Sequence, residues 1–132
     1  MKRNAADAVF SNLVRTRAKW TCECCGSWHG DSKASLHCSH HISRRFNATR
    51  LDSRNAAAHC ASCHRRFTDD PVMHGEWIEA KIGKETYLEL RAAANRTCQI
   101  KKHEWKGIVK TLKWQLDKMN EGYPEEFIGW RA

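Results

Sequence analysis

No stretch of apolar residues approaches the roughly 18 that a bilayer-spanning helix needs. The start of the chain lacks the basic, apolar, small-residue order of a secretory signal. Both absences point to a chain that stays in the cytoplasm, and a membrane is not among its expected partners. No internal repeat and no low-complexity tract is present, which removes solenoids and disordered linkers. Acidic residues are scarce: 15 Asp and Glu face 23 Lys and Arg, for a net charge of +8 and a pI near 9.3. A small domain with that balance meets nucleic acid, an anionic surface or an acidic partner. Prolines number only two, so Pro71, directly after Asp69 and Asp70, marks a break.

Cysteine, by contrast, is abundant. The chain has 132 residues, enough for one modest domain that a metal staple would help. It carries seven cysteines, an odd number without a signal peptide, which argues against a disulfide framework. Cys22-x-x-Cys25 and Cys60-x-x-Cys63 each have the spacing of a knuckle that aims two thiolates at one ion. Two knuckles make the closed four-sulfur arrangement of structural Zn2+. The 34 residues between Cys25 and Cys60 exceed a simple zinc ribbon, so the zinc would clasp a whole inserted unit. Cys24 reads as a spare thiol, Cys38 as a strand residue and Cys98 as a core or surface thiol.

Periodicity supplies the frame. Residues 5–19 predict a helix with Val9, Phe10, Leu13 and Val14 on one face and Arg15, Arg17 and Lys19 near its end. Residues 20–31 are turn-like, 34–43 fit a strand, and 44–55 read as an irregular polar loop. Residues 60–67 read as a knuckle leading into a helix. Helical patterns resume over 73–82, ended by Gly83, then over 85–96 and, most clearly, over 104–120. Phe127, Ile128 and Trp130 in the tail are placed to dock onto the body or a partner. Trp77, Trp105 and Trp114 are expected in core packing. The expected fold class is α+β, divided into an N-terminal helix (1–19), a central unit (20–96) and a C-terminal helical extension (97–132).

Inside the clasp stands CSHHISRR. The neighbouring His40 and His41 cannot share a face of a strand. Between residues 44 and 66 lie six arginines (Arg44, Arg45, Arg50, Arg54, Arg65 and Arg66) against one acid, Asp52, a net of +5 in 23 residues. Arginine binds phosphate bidentately and positions a duplex without reading bases, so DNA is the expected partner. One or two of the six are expected to be structural, with Arg54 and Asp52 a candidate internal pair.

The order His40-His41, Asn55 fourteen positions later, and Cys60-x-x-Cys63-His64 resembles the HNH family of ββα-metal nucleases, many of which carry the motif within a four-cysteine zinc site. The resemblance covers about residues 20–70. HISRRFNATRLDSRN with HGEWIEAKIGKETYLELRAAAN is similar, over about residues 20–96, to phage recombination proteins of the NinG type. The HNH resemblance implies a strand ending in the histidine pair, a loop and second strand, then the asparagine and a helix carrying a ligand histidine. Together the two likenesses imply a phage-encoded, metal-dependent DNA endonuclease using Mg2+, Mn2+ or another divalent transition metal in the bacterial cytoplasm. As protein partners they allow a second copy of the chain or phage recombination and packaging proteins. On one alignment His40 binds the metal and His41 is the base. On the other, Ser39-His40 occupies the pair and His40 is the base. His64 is the metal ligand on both, and Asn55 pins the loop through its side chain. His29, His59, His74 and His103 read as surface or satisfied core residues, and a site role for His37 is not favoured. The rival reading is a zinc-containing DNA-binding accessory protein without cleavage.

Overall fold

The computed structural model describes residues 2–30 and 32–132; Asp31, at the end of the turn-like segment, lies outside the described residues. Helix α1 spans Ala5–Arg17. Its start is fixed by a capping box: the Asn4 side chain accepts from the Asp7 N–H, and the Asp7 carboxylate accepts from the Asn4 N–H. Strand β1 (Leu36–His40) pairs antiparallel with β2 (Ala56–Cys60), in a register that sets His37 opposite His59 and His40 opposite Ala56. Helices α2 (Ala61–Asp69), α3 (Pro71–Ile82) and α4 (Lys84–Ala94) follow. Asp70 caps the Met73 N–H after the break at Pro71, and Gly83 separates α3 from α4 at a φ of 86°. Helix α5 covers Glu104–Asn120. The fold is therefore α+β.

The second strand is not where the resemblance implies. Residues 44–52 form turns, a 3-10 turn occupies Ser53–Asn55, and β2 begins after the asparagine instead of before it. Its sequence, AAAHC, hides it: alanine disfavours strands, and burial on both faces removes the alternation that marks a half-exposed strand.

One core joins all three sequence segments. Val9, Phe10, Leu13 and Val14 of α1 pack with Leu36, Ala56 and Ala58 of the sheet and with Ile108, Leu112 and Met119 of α5. Trp114 is not part of it. It is 62 % exposed, because the buried stripe of α5 runs through Ile108, Leu112 and Met119 and position 114 falls on the opposite side. The tail docks onto the body. Phe127 is buried edge-on to Phe10, Gly129 bridges to Asp52, and the Trp130 N–H donates to the Leu51 carbonyl at 2.7 Å. Gly129 has φ 78°, and a Cβ there would run into the Leu51 carbonyl oxygen, so only glycine fits. No helix among the described residues is long and apolar enough to cross a membrane.

Candidate metal centre and imidazole face

Two turns build the sulfur site. In the first, Gly26 takes a φ of 77° so that its N–H reaches the Cys22 carbonyl, while the Cys25 N–H points at Cys22 Sγ. In the second, Cys60 caps α2 and its sulfur accepts from the Cys63 N–H at 3.4 Å. Glu23 ties the first turn to the sheet, since its carboxylate accepts from the Ala58 N–H at 2.7 Å and its own N–H donates to the Ala58 carbonyl. Cys22, Cys25, Cys60 and Cys63 thus bring their sulfurs within 4.8 Å of one another. The edge of a zinc–sulfur tetrahedron with bonds of about 2.3 Å is roughly 3.8 Å, and Cys25 Sγ lies 3.8 Å from Cys60 Sγ. The donor set and spacing fit a structural zinc ion. As bare thiols Cys25 and Cys63 are pulled in opposite directions. Hydrogen bonds from Ser27 draw the Cys25 pKa down to about 6, whereas burial and then the neighbouring cysteines push Cys63 up. A divalent cation would stabilise all four thiolates together.

The hairpin register sorts the histidines onto two faces. Leu36, Cys38 and His40 turn toward α1; His37, Ser39 and His41 turn toward α2 and α3. His40 stacks on Phe10 with ring centres 5.6 Å apart, and its Nε2 donates to the Arg50 carbonyl at 2.9 Å. Burial lowers its pKa. His40 and His64 therefore do not meet, and the pairing of those two as ligands of one metal is not what the fold assembles. The residue brought to His64 is His37: the two Nδ1 atoms are 3.0 Å apart, and His37 Nε2 bonds the Ala34 carbonyl. Burial, then repulsion from His37, lowers the His64 pKa. Further along the same face, His41, His59 and His74 gather around Trp77 and Phe67. Burial, then the neighbouring imidazoles, pulls the pKa of both His41 and His59 to about 3.

Asn55 is fully buried between the strands. Its Oδ1 accepts from the Ile42 N–H at 2.8 Å, and its Nδ2 donates to the carbonyls of Ile42 and Thr49. It anchors both ends of the 42–55 loop and reaches no imidazole through those bonds.

His41 opens on a cleft of about 1000 Å3 between the end of α1, the start of β2, the end of α3 and the tail. Arg17, Lys19, Arg54 and Lys81 line it, opposed by Glu23, Glu125 and Glu126. The arginine run divides into two groups. Arg50 is 4 % exposed and clamps Asp7 through Nε–Oδ1 and Nη2–Oδ2 contacts of 2.9 and 2.5 Å. Arg44 also reaches Asp7, at 3.3 Å, and Arg54 pairs with Asp52 at 2.7 Å and with Glu89. Arg45, Arg65 and Arg66 are on the surface. Internal ion pairing engages Arg44, Arg50 and Arg54, while Arg45, Arg65 and Arg66 remain exposed.

The sequence reading placed His59 and His74 among surface or satisfied core residues and did not favour a site role for His37, whereas the fold gathers all three on the α2–α3 face of the hairpin. Even spacing from His41 puts His37 on the same strand face, a signal that was available. The His37–His59 pairing and the approach of α3 depend on register and packing, which spacing does not reveal. No protein-family model matches the chain, and neither curated proteins nor solved structures show a match.

Proposed function

We propose that the chain is a metal-dependent DNA endonuclease that seats its catalytic ion on His37 and His64. The carrying observation is the 3.0 Å separation of their Nδ1 atoms. A backbone carbonyl only accepts, so the Ala34 oxygen fixes the proton of His37 on Nε2, and the His37 Nδ1 lone pair accepts from the His64 Nδ1–H, a proton that a metal ion shared by the two rings would replace. Cis positions of an octahedral ion with bonds of about 2.1 Å are roughly 3 Å apart. The imidazole pair suits manganese, nickel, cobalt or zinc better than magnesium. A bound ion would polarise a phosphate oxygen and acidify a water.

The chain's own residues supply position. The sulfur clasp holds the start of α2, and with it His64, one residue after Cys63. Arg65 and Arg66, exposed on that helix, and Arg45 offer phosphate contacts. The HNH-type architecture is supported by the antiparallel strand pair, the clasp and the helix that follows, with Asn55 bracing the loop; the place of β2 after Asn55 departs from it. A phage origin and a role in recombination rest on the sequence likeness alone.

Supercoiled plasmid incubated with Mn2+ or Mg2+, with and without EDTA, tests the reading. Nicking should require metal and should disappear in His37→Ala and His64→Ala while DNA binding and zinc content persist. A second reading, a zinc-containing DNA-binding accessory protein of phage recombination or packaging, is favoured by the placement of His40 and His64 on opposite faces. Tight DNA binding with no nicking under any metal would select it.

A further inference from the structure

We propose that His41, His59 and His74 form a further transition-metal site, separate from the sulfur clasp and from the His37–His64 pair. Among the described residues, four buried side-chain nitrogen or oxygen atoms lack a hydrogen-bond partner: His41 Nδ1, both ring nitrogens of His59, and His74 Nε2. All four belong to this one cluster. Buried polar atoms in folded proteins are otherwise almost always paired, and a concentrated exception points to a missing ion or water. His59 is the sharpest case. It is completely buried, and a neutral imidazole carries one N–H and one lone pair, so it strands a donor and an acceptor together.

The three rings come from three elements: His41 at the end of β1, His59 in β2 and His74 in α3. The His74 ring centre is 6.3 Å from that of His41 and 6.3 Å from that of His59. Two imidazoles on a tetrahedral ion stand roughly 5 Å apart at zinc–nitrogen bonds of about 2.0–2.1 Å. Those two pairs each have about 1 Å to close, and among the described residues only the four sulfurs already stand close enough together for an ion, so the three rings must swing inward as a metal binds. Trp77 and Phe67 wall the cluster, with Trp77 4.6 Å from His59 and Phe67 5.0 Å from His74. Three imidazoles form the donor set of zinc, cobalt, nickel or copper, and not that of magnesium or calcium. Three protein ligands leave a fourth position, the pattern of a catalytic centre and not of a closed structural one. Of the three residues only His41 lines the cleft, which is the route by which an ion would reach the cluster. The inference stands on the orphaned nitrogens and does not depend on the nuclease reading.

The test is a Co2+ titration of the zinc-loaded full chain, with zinc content measured first and visible d–d bands followed. Because the His37–His64 pair would also take cobalt, the stoichiometry is read in His37→Ala, where one equivalent of Co2+ should develop bands without thiolate-to-metal charge transfer, separating this site from displacement at the clasp. His59→Leu and His74→Gln should each weaken that binding by no less than the roughly ten-fold that loss of even an outer partner costs a metal site. His37→Ala should leave it intact. His74 is only half-buried, so His74→Gln remains informative if His59→Leu folds poorly, with circular dichroism as the check. Absence of Co2+ uptake would overturn the proposal and leave ordered water as the partner of these nitrogens. Uptake that survives both variants, or that vanishes in His37→Ala, would overturn it as well. Failure of plasmid nicking would bear on the proposed function and leave this stoichiometry standing.

Discussion

Replacing Asp7 with alanine should destabilise the protein by about 4 kcal/mol, and the structure shows why. Asp7 is 3 % exposed and faces Arg50, 4 % exposed, through two hydrogen bonds. Its loss leaves a guanidinium buried without its counter-ion, held by longer contacts of 3.3 and 3.4 Å to Asn47 and the Lys2 carbonyl and by the Trp105 ring, whose centre is 5.1 Å away. Removing one partner of a buried pair costs roughly 3–5 kcal/mol. Half of the α1 capping box goes with it, worth on the order of 0.5–1 kcal/mol. For a chain of this size the melting temperature should fall by roughly 10–15 °C. Replacing both partners by apolar groups, Asp7→Ala with Arg50→Met, should recover much of that loss, since no uncompensated charge remains. Thermal and urea unfolding followed by circular dichroism measure all four corners of the cycle. The acid limb gives a second reading. Burial opposes ionisation of Asp7, but the Arg50 hydrogen bond, the Asn4 N–H and the charges of Arg50 and Arg44 outweigh it, so its pKa lies below the ordinary 3.8. Its contribution is therefore present above the unfolded value and is lost as the pH falls through the folded one, and the variant should show a shallower loss of stability there. A single variant within about 1 kcal/mol of wild type, or a double variant no better than the single, would refute Arg50 as an internal clamp.

Cys60→Ser should lose zinc and unfold the domain, because the clasp joins the 22–25 turn to β2 and α2. Metal content and circular dichroism report it, and a well-folded zinc-free variant would contradict the clasp. Gly129→Ala should undock the tail and destabilise by about 1–3 kcal/mol, since alanine meets strain at φ 78° and a clash with the Leu51 carbonyl. Urea unfolding measures the loss, with protease cleavage confined to the residues after α5 as the accompanying sign.

The chain carries its local structure openly. Helix α1, with Asn4 and Asp7 at its head and Val9, Phe10, Leu13 and Val14 at turn spacing, and α5, with Ile108, Leu112 and Met119, follow from a 3.6-residue period that the backbone imposes on any amphipathic helix. The two Cys-x-x-Cys turns are equally local: four residues suffice to aim a pair of thiolates, so the four-sulfur site was legible before the fold was known. Strand β2 was not, because a strand buried on both faces and built largely of alanine carries no alternation. The histidines show the boundary most clearly. Sequence establishes that His40 and His41 point to opposite faces, since strand alternation is a property of the backbone. Which face meets His64 depends on where α1 and α2 pack, and that is settled by contacts between residues far apart in the chain. The same holds for Arg50: its charge is visible in the sequence, but only the approach of Asp7, 43 residues earlier, turns a phosphate ligand into a buried clamp.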